Sequence, residues 1–204
     1  MTMQDKQLYS LIPFEEFKAL LGLDDRDDKL SRFCLTAATY SIEEFCHRRL
    51  REKKYFEDLA FYGDRVIPLM HYPVRKMLAV YAMNLNQFSS EQKTKNRIAP
   101  QLYRIVPECW EGIDTPACLV LSGAVRPLLG EFSLRVVYMA GYAAGEVPAD
   151  LASACLELAA WNFNRYRGRR IGMSGNVRGN GERFELSMPE NVRALLEPYR
   201  RRVI

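Results

Sequence analysis

Near the N-terminus, Phe14, Phe17, Leu20 and Leu21 recur at helical steps after Pro13, with Glu15 and Glu16 in a first turn where the helix dipole favours anions. Gly22 is a natural stop, so the pattern predicts a short helix over 13–21. An acidic cluster, Asp24 to Asp28, then precedes Leu30, Phe33, Cys34, Ala37, Ser41 and Phe45, whose three- and four-residue steps predict a longer helix over 27–47. The period then changes. Segments around Lys54–Leu59, Arg65–Leu69, Val74–Met83, Leu102–Val106, Ala117–Leu121 and Phe132–Met139 are rich in Val, Ile, Tyr and Leu and are separated by Pro, Gly or polar residues. They predict a small antiparallel sheet, a strand-rich insertion over about 54–139. Asn84 to Pro100 lacks periodicity and reads as a long loop or hairpin tip suited to contacts.

After a turn signal at Gly141 to Pro148, Leu151, Ala154, Cys155, Leu158, Trp161 and Asn162 share one face of a helix expected over 148–167. Gly168 ends it, and Ile171 to Arg183, with four glycines and little apolar content, reads as a flexible linker. Ser187 to Glu190 then matches a capping box, opening a short helix with a narrow stripe, Val192, Leu195, Leu196 and Tyr199. So short a helix does not persist alone in water and must bury its stripe, on a partner or on its own chain. The expected fold is α+β and mainly helical: a domain over 1–168 carrying the strand-rich insertion, then a linker and C-terminal arm over 169–204.

Composition supports a folded, soluble chain, with 48% apolar and 26% charged residues. No apolar run approaches the roughly 18 residues of a membrane span, and Met1 to Ser10 lacks the basic-then-apolar order of a signal peptide, so no membrane association is expected. Five scattered cysteines, Cys34, Cys46, Cys109, Cys118 and Cys155, show no CxxC spacing and read as reduced, buried small hydrophobes. The net charge of +4 is uneven: from Trp161 onward ten arginines face four glutamates, an excess of +6, against −2 over the first 160 residues. One end of the chain is therefore suited to an acidic partner, protein or nucleic acid.

Catalytic chemistry is thinly represented. The two histidines, His47 and His71, have no carboxylate pattern beside them. Cys46 and His47 are adjacent on a helix and so project about 100° apart, and Cys34, Cys46 and His47 lack a fourth ligand for zinc. Gly172, Gly175, Gly179 and Gly181 neither follow a strand nor open a helix, as a phosphate loop requires. The pairs Glu15/Glu16, Glu43/Glu44 and Asp24/Asp25 read as solvated helix faces or turns. No catalytic, cofactor or metal site is expected. Arg165, Arg167, Arg169 and Arg170, near Trp161 and Tyr166, fit either nucleic-acid contact or a helix end whose cations offset the dipole.

Several strings in order, from Ala37-Ala38 to Arg48, Ile67-Pro68-Leu69 with Tyr72-Pro73-Val74, Tyr138-Met139-Ala140-Gly141-Tyr142, Val147 to Leu151 with Leu158 to Trp161, and Met188 to Arg200, run through nearly the whole chain. In this order the chain resembles the head-tail connector (adaptor) proteins of tailed bacteriophages. The resemblance implies a structural virion protein, made in the host cytoplasm and placed in the neck. It would form a ring of roughly twelve copies that docks on the portal protein, extends the DNA channel and offers a platform to the stopper or tail-completion protein, with only non-specific contact to channel DNA. On this reading Met188, Pro189, Val192, Leu195, Leu196 and Tyr199 fill an apolar portal groove, and Arg169, Arg170, Arg200, Arg201 and Arg202 meet acidic portal surface. The segment 84–130 is longer than a minimal helical connector requires, which implies a further contact for the strand-rich part. The alternative is a DNA-binding or DNA-packaging accessory protein that uses the same basic end; a cysteine-dependent enzyme centred on Cys46 is a third reading.

Overall fold

The computed structural model describes residues 9–60, 64–83, 97–106, 116–125, 133–143, 145–168 and 188–201. By packing, the chain divides into a helical unit, 1–49 with 143–204, and an inserted unit, 50–142. The α+β expectation holds.

The helical unit contains α1 (Phe14–Leu21), α2 (Asp28–Cys46), α3 (Ala149–Arg167) and α4 (Glu190–Leu196). Pro13 caps α1, Phe14 and Phe17 are its buried residues, and Gly22 closes it in the left-handed region at φ 59. The C-cap of α2 is His47, also left-handed at φ 53, with N–H groups of His47 and Arg48 returning to the carbonyls of Glu44 and Glu43 at 3.1 Å. Pro148 caps α3. The three predicted helices therefore stand within a residue of their expected bounds.

The buried face of α2 is turned from the expected one. Cys34, Leu35, Ala38, Ile42 and Cys46 are inside, whereas Phe33 is 54% exposed. Two apolar stripes, offset by one residue or about 100°, compete in this sequence. The stripe that wins is interleaved with Ser31, Thr39 and Glu43, polar groups that hide it from a hydrophobicity count yet are satisfied internally. Ser31 and Thr39 donate to the carbonyls of Asp27 and Leu35 at 2.8 and 3.0 Å. Glu43 accepts from the Tyr9 hydroxyl at 2.6 Å and from Arg49 Nη1 at 2.7 Å. These buried bonds remove the desolvation cost that would otherwise oppose this face. On α3, Leu151, Ala154, Cys155 and Leu158 are buried as expected, but Ala159 and Phe163 are buried too, while Trp161 and Asn162 are half-buried.

The inserted unit contains two antiparallel three-stranded sheets where one was expected. The first has the order β1 (Lys53–Ala60), β6 (Ser133–Ala140), β3 (Val74–Met83); the second, β2 (Val66–Pro68), β5 (Cys118–Leu121), β4 (Tyr103–Val106). All six predicted strands are present. Their division into sheets depends on long-range pairing: β6 lies between β1 and β3, with Tyr138 opposite both Tyr55 and Met77. Alternate residues Leu134, Val136, Tyr138 and Ala140 turn into one core with Val80, Ile67, Leu119 and Leu121. Of the long segment 84–100, Ile98 is 7% exposed and donates its N–H to Val80 O at 2.8 Å, so its C-terminal end joins the core; 84–96 lie outside the described residues.

One carboxylate is built into this core. Glu57, 7% exposed, accepts from the Tyr138 hydroxyl at 2.5 Å and from the Met70 N–H at 3.1 Å. Tyr138 in turn accepts from the His71 N–H at 3.2 Å, and burial raises its pKa further above the ordinary phenol value. Tyr138→Phe removes a hydrogen-bond partner from a buried carboxyl group and should destabilise the inserted unit by about 1–3 kcal/mol in denaturant unfolding. A change below about 0.5 kcal/mol would show that this pair contributes nothing to the core.

Candidate partner-docking surface

Among the described residues no group of three or more His, Cys, Asp and Glu side chains could hold a metal ion, and no helix is long and apolar enough to cross a membrane. Cys46 is fully buried and His47 is exposed, so the adjacent pair does not converge. Cys34 and Cys155 are also fully buried, and desolvation pushes both thiols up to about 11. That leaves about 0.1% thiolate at pH 8. Ellman's reagent should therefore leave Cys34, Cys46 and Cys155 unmodified in the native protein and label them in denaturant. Rapid native labelling of Cys46 would restore it as a candidate nucleophile. Cys118 is half-buried, and Cys109 lies outside the described residues.

The basic end of α3 is engaged within the chain. The Arg165 guanidinium lies 4.5 Å from the Trp161 ring, Arg167 lies over Phe163 and 3.7 Å from Asp27, and Tyr166 meets Phe33 edge-on. Trp161 and Tyr166 thus serve as platforms for the chain's own side chains. These contacts match the helix-end reading of the cluster. Arg169 and Arg170 lie outside the described residues.

The C-terminal stripe is not unpartnered. Val192 and Leu196 are fully buried and Tyr199 is 8% exposed, because α4 packs on α3 and the end of α2. The Tyr199 hydroxyl donates to Asp150 Oδ1 at 2.5 Å, the Arg201 N–H donates to the Cys46 carbonyl at 2.9 Å, and Asn191 donates to Glu157. Gly168 therefore marks the end of a helix and not an edge of packing, since 188–201 belong to the helical unit. Val192, Leu196 and Tyr199 are unavailable to a portal groove while they are so packed. Leu195, Met188 and Pro189 remain half-buried. The capping box is corrected as well: the N-cap is Pro189, which makes Glu190 the first helical residue, and Ser187 lies outside the described residues along with the linker 171–183.

Charged side chains are exposed along α4 and the turn that follows it. Glu190, Arg193, Glu197 and Arg200 are exposed; Arg200 reaches Glu197 at 3.8 Å and lies 5.4 Å from the Phe45 ring. Arg201 is half-buried at the end of the turn that follows, and Arg202 lies outside the described residues. Large apolar side chains are exposed elsewhere: Leu20, Phe33 and Tyr40 on the helical unit, and Phe56, Val66, Met70 and Val106 on the inserted unit. Sequence reading missed the anchors Asp150 and Cys46 O, because an aspartate at a helix start is explained by the dipole alone and a backbone carbonyl leaves no sequence signal.

No family model matches the chain, and no curated protein matches it in sequence. Solved structures do match in fold. A chain of the neck of an empty GTA particle, computed with C6 symmetry, is 23% identical with a TM-score of 0.61, over 95% of this chain and 92% of that one. A chain of the virion of a native gene transfer agent (GTA) particle is 22% identical with a TM-score of 0.63, over the same shares. A chain of the neck of a native GTA particle, computed with C12 symmetry, is 23% identical with a TM-score of 0.61, over 100% of this chain and 97% of that one. The likeness in fold thus covers 95% or more of this chain in each match.

Proposed function

We propose that the chain is a structural subunit of the neck of a phage-like particle, a head-tail connector of the adaptor type with a non-catalytic role. The observation that carries this reading is the end-to-end likeness to chains of GTA necks and virion, which includes both the helical and the inserted unit. The order of sequence strings resembling tailed-phage connectors supports it independently. The C6 and C12 symmetries of the matched necks favour a ring of about twelve copies, closed by head-to-tail contacts between unlike surfaces. Such a ring sits on the portal at the head-tail junction, continues its DNA channel and receives the stopper or tail-completion protein.

Portal docking is assigned to the outer side of the C-terminal segment. There the buried stripe fixes α4 in place, and Arg193, Arg200, Arg201 and the following Arg202 meet acidic portal surface, with Arg169 and Arg170 as further cations. Repetition around a ring gives avidity to contacts that are weak in one copy. The test is co-migration with purified portal rings of the same particle in size-exclusion chromatography. The wild type should co-migrate, and Arg193→Glu with Arg200→Glu should weaken association by about tenfold or more, the scale of one lost charge pair, with an unchanged melting temperature. No association of the wild type at any salt concentration would overturn the reading.

A further inference from the structure

The end of the second sheet of the inserted unit holds a cleft of about 190 Å³, lined by Arg65, Gln101, Tyr103, Arg104 and Ser122 over Val120. Its cations come from both edges of that sheet. Arg104 on β4 lies opposite Val120 of β5, whose other neighbour is Val66 of β2, and Arg65 immediately precedes Val66. Two strand spacings therefore put the two backbones roughly 10 Å apart across β5. Hydrogen bonds from Leu121 N–H to Arg65 O at 3.0 Å and from Ser122 N–H to Leu102 O at 2.8 Å hold both rims to the central strand.

The chemistry of the lining is one-sided. Among the described residues no carboxylate lines the cleft, and neither the Arg65 nor the Arg104 guanidinium has a hydrogen bond or ion pair. Both residues are exposed. A third guanidinium stands close by: Arg97, held by Nη2 to Leu78 O at 3.1 Å, is near enough to Tyr103 to pull its hydroxyl pKa down against the rise caused by burial. Over 50–142 the sequence carries twelve basic and nine acidic side chains, and two of the acidic ones are committed, Glu57 in the core and Asp58 to Arg135.

Two guanidinium forks, two hydroxyls and an amide around an open cleft suit a ligand that presents several acceptor oxygens and negative charge, which a phosphate does more fully than a carboxylate. We propose that this cleft binds a backbone phosphate of DNA. The choice of DNA as the source of the phosphate rests on the neck reading above; the cleft itself does not.

The test measures binding of the full chain to a labelled DNA duplex from about 50 to 200 mM salt. Each neutralised phosphate contributes about 0.9 to the slope of log affinity against log salt, so Arg65→Ala with Arg104→Ala, which empties one phosphate site, should flatten the slope by about 1. Over that fourfold range the wild type should lose about three- to fourfold more affinity than the double variant. Lys53→Ala with Lys76→Ala, at exposed positions on the other sheet, should change the slope less. An equal change in the two pairs, or a wild type that does not bind DNA, overturns the proposal. Inorganic phosphate bound by the wild type and lost in the double variant, with DNA binding unaffected, retains phosphate as the ligand and overturns DNA as its source. Binding of a polyglutamate peptide in preference to both would overturn phosphate altogether. Ring assembly on the portal is read in parallel with the same proteins: rings with an unaltered slope sink the cleft alone, and absence of rings on the portal sinks the neck reading.

Discussion

Leu196→Ala should lower the stability of the helical unit by about 2–5 kcal/mol, the range for truncating a fully buried leucine in a packed core. Leu196 has no exposed surface, and its helix α4 has only seven residues. Such a segment is held by tertiary packing and not by its own helix propensity. Loosening it puts at risk the bonds from Tyr199 to Asp150 and from Arg201 to the Cys46 carbonyl. Denaturant unfolding followed by helical circular dichroism measures the loss. Deletion of 188–204 should cost at least as much, because it also uncovers the α3 surface. If both variants unfold at the wild-type midpoint, the C-terminal segment is a free arm and the packed arrangement is wrong.

Gly141→Ala should be at least as damaging, at about 3 kcal/mol or more. The residue sits at φ 102, a region closed to most side chains, and a Cβ there would lie 2.4 Å from the Arg51 carbonyl oxygen and 2.6 Å from its carbon. Backbone strain and overpacking each cost about 1–3 kcal/mol, and here the obstacle is backbone that cannot rotate away. The position is where the chain closes the inserted unit. Gly141 N–H donates to Pro73 O at 2.9 Å, and next to it Tyr142 and the passage Leu50 to Glu52 exchange bonds at 2.7 and 2.9 Å. Gly22→Ala is the control: its φ is also positive, but nothing lies within 4 Å of the added carbon. It should cost only about 1–2 kcal/mol in the same thermal melts. Equal effects at the two positions would refute the close approach to Arg51.

Local chemistry made much of this fold legible. The helices ending at Gly22 and Gly168 and the six strands punctuated by Pro, Gly and polar residues are set by dihedral preference and by burial periods of 3.6 and 2, which are properties of neighbouring residues. What was not legible depends on distant partners. Whether α2 buries Leu35 and Ile42 or turns Phe33 inward depends on partners that satisfy Thr39 and Glu43 on the buried face: the Leu11 N–H donates to Thr39, and the Tyr9 hydroxyl and Arg49 donate to Glu43. Whether six strands form one sheet or two is decided by β6 entering between β1 and β3.

The candidate surface followed the same rule. The stripe Val192, Leu196 and Tyr199 was visible, and so was its need for a groove, but a periodicity does not say whose groove it is. Asp150 and the end of α2 provide it within the chain. The clustered arginines of α3 were visible as charge, and Trp161 and Tyr166 were read as possible stacking platforms for bases, whereas the arginines lie over Trp161 and Phe163 of their own helix. Arg65 and Arg104 could not be paired from sequence, since only the β2–β5–β4 register brings them to one cleft.

The central claim is that this chain builds a ring in a particle neck. Electron microscopy of the purified full-length protein with its portal, sorted into rotational classes, tests it most directly. The account predicts closed rings with about twelvefold symmetry stacked coaxially on the portal; open filaments, or monomers beside bare portal rings, would contradict it.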